Sequence, residues 1–198
     1  MTQTNPILGA LIGSRICHDL ISPVGAISNG LELLGFAGTL DGPEMTLVAD
    51  SAAHAGARIR FFRVAFGLAS GAQGLGAAEV KDILAGVYCD RCRVGWQVAG
   101  DLTRTEAQLA FLALLCAEQA VPAGGTLTVT GGNGALCVTA TGRRVAVRPE
   151  YWAILEAPGD VSDVPAAQVQ FALLPLLLEG QARRPRFEIT DEAVTLRV

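Results

Sequence analysis

Residues 14–23 read SRICHDLISP, and the proline at 23 falls five positions after the histidine, inside what reads as one long helix. An interior proline removes a ladder hydrogen bond and costs roughly 3 kcal/mol unless something compensates. Helical periodicity nonetheless runs on both sides of it, from a start signal at Asn5-Pro6 to about Gly35. Asparagine is a good cap there, and proline suits the first helical position. Stepping about 100° per residue from His18, Ile16, Leu20, Val24, Ile27, Leu31 and Leu34 gather on the far side as an apolar stripe. Leu11, Ser14, Ser22, Gly25, Asn29 and Glu32 share the side of His18. The histidine therefore faces away from the stripe, among small or polar neighbours.

Beyond a turn at residues 35–42, Pro43-Glu44 opens a second helix. Its residues Val48, Ala52, Ala55, Ile59, Phe62 and Phe66 step by four and three, the spacing of a bundle seam. Two helices joined by a short loop form an antiparallel hairpin. A lone hairpin cannot cover both stripes, which predicts a homodimer closing a four-helix bundle. Residues 67–78 (GLASGAQGLGAA) read as a flexible joint, so the expected domains are 1–70 and 77–198. The second domain mixes helices and strands. Helices are expected at 79–88, from the capping box Thr103-x-x-Glu106 to about Ala120, at 149–156 and at 166–180, with Pro175 kinking the last. A strand at 94–98 and hairpins through GGNG (131–134) and Asp191-Glu192 complete an α+β sandwich with strands on one layer and helices on the other.

Composition bounds the function. The chain has 198 residues, 51% hydrophobic and only 17% charged, with a net charge of −4, so neither nucleic acid nor an anionic membrane is an expected partner. The N-terminus lacks the basic region of a signal peptide, and the longest apolar run, residues 171–178, is too short to span a bilayer. Five scattered cysteines fit reduced thiols in a cytoplasm. Cys89 and Cys92 have half-zinc-site spacing but no second pair, and His54 reads as an ordinary surface residue.

HDLISP matches the pattern of histidine, acidic residue, three variable residues and proline that marks the phosphoaccepting helix of sensor histidine kinases. The longer strings SRICHDLISPVGAISNGLELL (14–34) and ARIRFFRVAFG (57–67) closely resemble the ChpT-type histidine phosphotransferases of alphaproteobacterial cell-cycle phosphorelays. That resemblance implies a homodimer with the phosphorylated histidine on its bundle and a degenerate histidine-kinase ATPase-like domain attached. Degeneracy is also legible in single residues. LLCAEQAVPAGGTLTV (114–129) is similar to the kinase segment that supplies an Mg²⁺-holding asparagine, and Cys116 stands there, a poor ligand for a hard cation. In VTATGRR (138–144), Ala140 replaces the adenine-reading aspartate and Arg144 one of its glycines, while VPAAQVQ (164–170) has no glycine where the phosphate loop falls. These changes argue against ATP binding, so no cofactor or metal of its own is expected.

An unperturbed imidazole titrates near 6.5 and is a competent nucleophile near pH 7. His18 is the expected phosphoacceptor, Asp19 the partner that holds the proton on its other ring nitrogen, and Arg15 a source of charge for phosphate oxygens. Ser14, Ser22, Pro23, Gly25 and Asn29 form an approach for a docking receiver, Arg63 lies level with Arg15 on the second helix, and Leu11 is either a docking contact or buried by the second domain. The resemblance implies a receiver that brings its own aspartate and Mg²⁺. The donor is then the receiver of a hybrid histidine kinase, and the acceptors are a DNA-binding response regulator and a single-domain receiver. The break after Asp19 at Pro23 serves either bending or mere shape. The competing reading is a non-catalytic module that sequesters a response regulator, which would need neither His18 nor Asp19.

Overall fold

The computed structural model describes residues 6–37, 42–69, 74–89, 91–132, 134–157 and 161–198. Helix α1 (Pro6–Ala37) carries Pro23 within it, and α2 (Pro43–Ala65) returns along it; of the predicted turn, residues 38–41 lie outside the described residues. Close approach fixes their register. A β-carbon at Gly30 would collide with Val48, and Asp19 faces Arg58 one end further along.

The apolar stripe of α1 is only partly covered within one chain. Leu34 is buried and Ile16, Leu20 and Ile27 are half-buried, while Val24 and Leu31 are 51% and 56% exposed. The seam expected on α2 is split. Ala55 and Phe62 are buried, yet Ala52 and Ile59 are exposed. A single seam assumes a single neighbour, and α2 has two. Ala57, Phe61 and Val64 are also buried, with Phe61 stacked on Phe111 of the second layer.

The rest of the chain runs α3 (Ala77–Val87), β1 (Cys92–Val98), α4 (Arg104–Glu118), β2 (Gly125–Gly132), β3 (Ala135–Gly142), α5 (Pro149–Glu156), two 3-10 turns (Val161–Asp163 and Ala166–Gln168), α6 (Val169–Glu179, with Pro175 inside it), β4 (Arg186–Ile189) and β5 (Ala193–Arg197). The strands form one sheet in the order β1-β2-β3-β5-β4, with β1 parallel to β2 and the other pairs antiparallel. Alternation sends Leu127, Val129, Val138, Ala140, Val194 and Leu196 inward, all fully buried. Helix α4 lies over that face and is apolar on every side, its residues from Ala107 to Ala117 all buried. A helix of that kind belongs in the middle of a core.

At both edges of the expected joint, described residues are tied to the second layer. Residues 70–73 lie outside the described residues, but Leu75 is 4% exposed and exchanges backbone hydrogen bonds with Leu102 at 2.7 and 3.1 Å, and α3 begins at Ala77. The last carbonyls of α2 and its exit are capped from α4: Gln108 Nε2 donates to Ala65 and Gly67, and Arg104 Nη2 donates to Arg63. Orphan helix-end carbonyls need such partners. Glycine content signalled mobility, but these cross-links come from side chains some forty residues away in sequence.

Thr103 and Glu106 make the expected capping box, and Glu106 also accepts from Gly134 N at 2.9 Å. Hydrogen bonds from the Thr103 side chain and backbone hold the Glu106 carboxyl below its usual value. A lowered carboxyl contributes stability above its unfolded pKa and loses it as pH falls through the folded one. The stability of wild type is therefore expected to decline faster than that of Glu106→Gln as pH drops below about 4.3, measured by urea denaturation across that range.

The expectation that nothing spans a bilayer rested on the longest apolar run. Among the described residues one helix segment, Pro6–Leu34, is long and apolar enough to cross a membrane by length and composition. It is the same helix that carries Arg15 and Asp19 and packs on α2.

Candidate functional site

The site is built one residue at a time from α1. His18 points out of the helix with its side chain 79% exposed, and its Nδ1 lies 3.1 Å from Asp19 Oδ1. An ionised carboxylate can only accept, so an imidazole that bonds to it does so with a proton on Nδ1, which leaves Nε2 on the exposed side of the ring as the nucleophilic nitrogen. Adjacent helix positions diverge by about 100°, so this contact needs Asp19 to be held. Arg15, one turn earlier, donates from Nε to Asp19 Oδ2 at 2.9 Å, and Arg58 of α2 brings Nη1 to 3.8 Å from the same oxygen. Asp19 is only 12% exposed. Its carboxylate is thus divided, one oxygen for the imidazole and the other for two guanidinium groups.

Arg15 reaches further than phosphate chemistry suggested. Its side chain is 11% exposed, and its Nη1 donates to the carbonyl of Ala167 in the second 3-10 turn. That turn occupies the glycine-free stretch 164–170, which packs against α1. Arg15 therefore ties the second layer to the carboxylate that orients His18.

Ser14, Ser22, Gly25 and Asn29 are exposed as expected, and a β-carbon at Gly25 would meet nothing within 4 Å. Leu11 and Pro23 are half-buried. Ser22 and Pro23 share a concavity of about 260 Å³ with Asp19, Arg58, His54 and Cys89. The structure places Arg63 elsewhere. Its carbonyl accepts from Arg104, and its side chain lines a separate cavity with Arg60 and Arg104. Arg58 takes the position beside Arg15 instead. The hairpin register, with Gly30 against Val48 and Asp19 near Arg58, keeps Arg63 level with Arg15 as expected, but Arg63 leaves α2 on another face. Which face of α2 meets α1 is set by the packing of both helices.

His54 is exposed, as its sequence context suggested, but its Nε2 lies 3.7 Å from Cys89 Sγ. All five cysteines are free, and among the described residues no group of three or more His, Cys, Asp or Glu is placed to hold a metal. A second cavity of about 220 Å³ lies behind Asp19, lined by Arg15, Arg58, Tyr88, Arg91 and Glu118. Burial pushes the Glu118 carboxyl up, opposed by Arg91 at 3.7 Å.

Cys116 and Ala140 both lie wholly inside the core, and burial raises the Cys116 thiol well above its usual value. Gly131 and Gly132 belong to β2, paired with Leu136 and Ala135, and Asn133 lies outside the described residues. Arg144 is exposed.

Asp19→Asn keeps the size of the side chain and removes its charge. On the expectation that His18 accepts phosphoryl, the change should slow that step by about 10²–10⁴-fold, the usual weight of a positioned acid–base group. Single-turnover transfer from a phosphorylated receiver measures it, and an unchanged rate would contradict the role.

The histidine phosphotransferase C-terminal domain family matches residues 77–193. The protein phosphotransferase ChpT of Brucella abortus is 36% identical over 195 residues, covering 94% of this chain and 92% of that protein. The solved structure of a bacterial phosphotransferase superimposes with a TM-score of 0.82 at 32% identity, over all of this chain and 98% of the other. The class is that of the protein phosphotransferases. Within it, the chain belongs to the ChpT-type histidine phosphotransferase family.

Proposed function

We propose that the protein is the histidine relay of a phosphorelay, accepting phosphoryl on Nε2 of His18 from the receiver aspartate of a hybrid histidine kinase. The observation that carries this reading is the Nδ1 contact to Asp19 beneath an imidazole open to solvent. In the forward step the Nε2 lone pair forms a bond to phosphorus, the P–O bond to the donor aspartate breaks, and that aspartate leaves as a carboxylate. The proton stays on Nδ1, where Asp19 balances the positive charge gained by the ring. The reverse step delivers phosphoryl to the aspartate of the next receiver, either a DNA-binding response regulator or a single-domain receiver. Positioning and charge neutralisation carry most of such a transfer, and the Mg²⁺ comes with the receiver. Arg15 acts as a positioning residue through Asp19, and the exposed Ser14, Ser22, Gly25 and Asn29 admit the partner.

The second domain is a degenerate kinase-like domain that neither holds ATP at the kinase nucleotide position nor phosphorylates His18. The burial of Cys116 and Ala140 in the core supports this. Two chains pair through the hairpin in a four-helix bundle, in the cytoplasm. The exposed Ile21, Val24, Leu31 and Ile59 support that pairing, since each is at least half open within one chain. Light scattering is expected to give twice the chain mass for wild type and the single-chain mass for Ile21→Glu/Leu31→Glu.

Incubation with a radiolabelled, phosphorylated hybrid-kinase receiver tests the relay. Label is expected on this chain and then on a second receiver, without ATP. Tight receiver binding with no label would replace the relay with a sequestering module.

A further inference from the structure

The loop after α6 and the strands that follow it gather four arginines at one corner of the sheet. Arg183 and Arg184 lie in the loop, Arg186 opens β4 and Arg197 ends β5. Together with Leu136 and Cys137 they line a concavity of about 260 Å³, and none of them borders the cavities around Asp19.

The four arginines have no ion-paired carboxylate among the described residues, and Val198 also lines the concavity beside Arg197. Arg186 and Arg197 are directly paired across β4 and β5, so their side chains leave the same face. Like charges in that relation are destabilising. Arg15, Arg58, Arg60 and Arg91 each have a carboxylate within 4.0 Å, whereas among the described residues none of these four does. The carboxyl whose pKa responds to Arg183 is Glu106, and it is already engaged by Thr103 N, Thr103 Oγ1 and Gly134 N at 2.7–2.9 Å. Glu188, two positions from Arg186 on the same face of β4, has no arginine within 4.0 Å among the described residues. Nor is the loop loosely hung. Ala182 is held at φ 56° just before Arg183, and Pro185 between the arginines is buried.

We propose that this corner binds a diphosphate group, either free pyrophosphate or the phosphates of a nucleoside diphosphate. Guanidinium forks grip phosphate oxygens in pairs and stay charged at every relevant pH. Four of them suffice to neutralise two phosphate groups. This site is separate from the phosphoacceptor and stands whether or not the relay reading does.

Calorimetry and thermal unfolding of the full chain with sodium pyrophosphate, ADP or sodium chloride at matched ionic strength test it. One pyrophosphate is expected per chain, with a rise in Tm beyond that in chloride, and His18→Ala should bind equally well. Arg197→Gln should have the higher Tm without ligand, because the opposed pair is relieved, and should bind at least tenfold more weakly. Arg184→Gln, exposed in the loop, should lose the same affinity and serves if the strand variant does not fold. ADP binding tenfold tighter than pyrophosphate, and lost in the same variants, would assign the nucleoside source; equal affinity would assign free pyrophosphate. No rise in Tm beyond chloride, unchanged affinity in both variants, or tighter binding of a polyglutamate peptide would overturn the proposal.

Discussion

Replacing His18 by alanine is expected to abolish label uptake from a phosphorylated receiver, by at least about 10³-fold, because the proposed covalent path runs through its Nε2. The side chain is 79% exposed and makes one polar contact, to Asp19. Stability should therefore change by no more than about 0.5 kcal/mol. That pairing of results is what makes the variant informative. A loss of transfer with an unchanged urea midpoint assigns the loss to chemistry. His54, the second histidine in the chain, provides the control: His54→Ala should take label like wild type, since its ring sits against Cys89 and not beside Asp19. Label retained on His18→Ala but lost from His54→Ala would reverse the assignment.

The second large effect is structural. Phe61→Ala is expected to cost about 3–5 kcal/mol. The ring is 1% exposed, stacks on Phe111 with centroids 4.8 Å apart and planes 21° from parallel, and meets Phe62 and Tyr88 edge-on at 5.9 Å. Phe61 belongs to α2 and Phe111 to α4, so the cavity opens where the hairpin meets the sheet layer. The urea midpoint should fall with little change in slope if both parts unfold together, and a reduced slope or a second transition would show that they have come apart. Phe61→Leu, which fills most of the space, should cost less than half as much.

Much of the fold was readable because it depends on local pattern. The 3.6-residue period, Pro6 and Pro43 marked the two long helices, with the expected cap Asn5 outside the described residues, and Thr103-x-x-Glu106 marked the start of α4. The C-terminal hairpin through Asp191-Glu192 followed from alternation and turn chemistry, and its strands are those of β4 and β5. The missed features depend on residues distant in sequence. The split seam on α2 reflects Phe111, fifty residues beyond Phe61, and the restrained joint reflects Gln108 and Arg104. The site divides the same way. His18 and Asp19 were found as neighbours on one helix, and their contact is present. Arg58 was passed over for Arg63, which is level with Arg15, because the choice turns on which face of α2 packs toward α1. The second use of Arg15, on a carbonyl 152 positions away, leaves no trace in any local pattern.

That long reach joins two halves of the molecule at one side chain. One guanidinium grips Asp19 with one nitrogen and the Ala167 carbonyl with another. On the proposed relay, the pose of the imidazole on α1 and the seating of the 3-10 turn near Ala167 then share a single fastening, and moving either one loads the other.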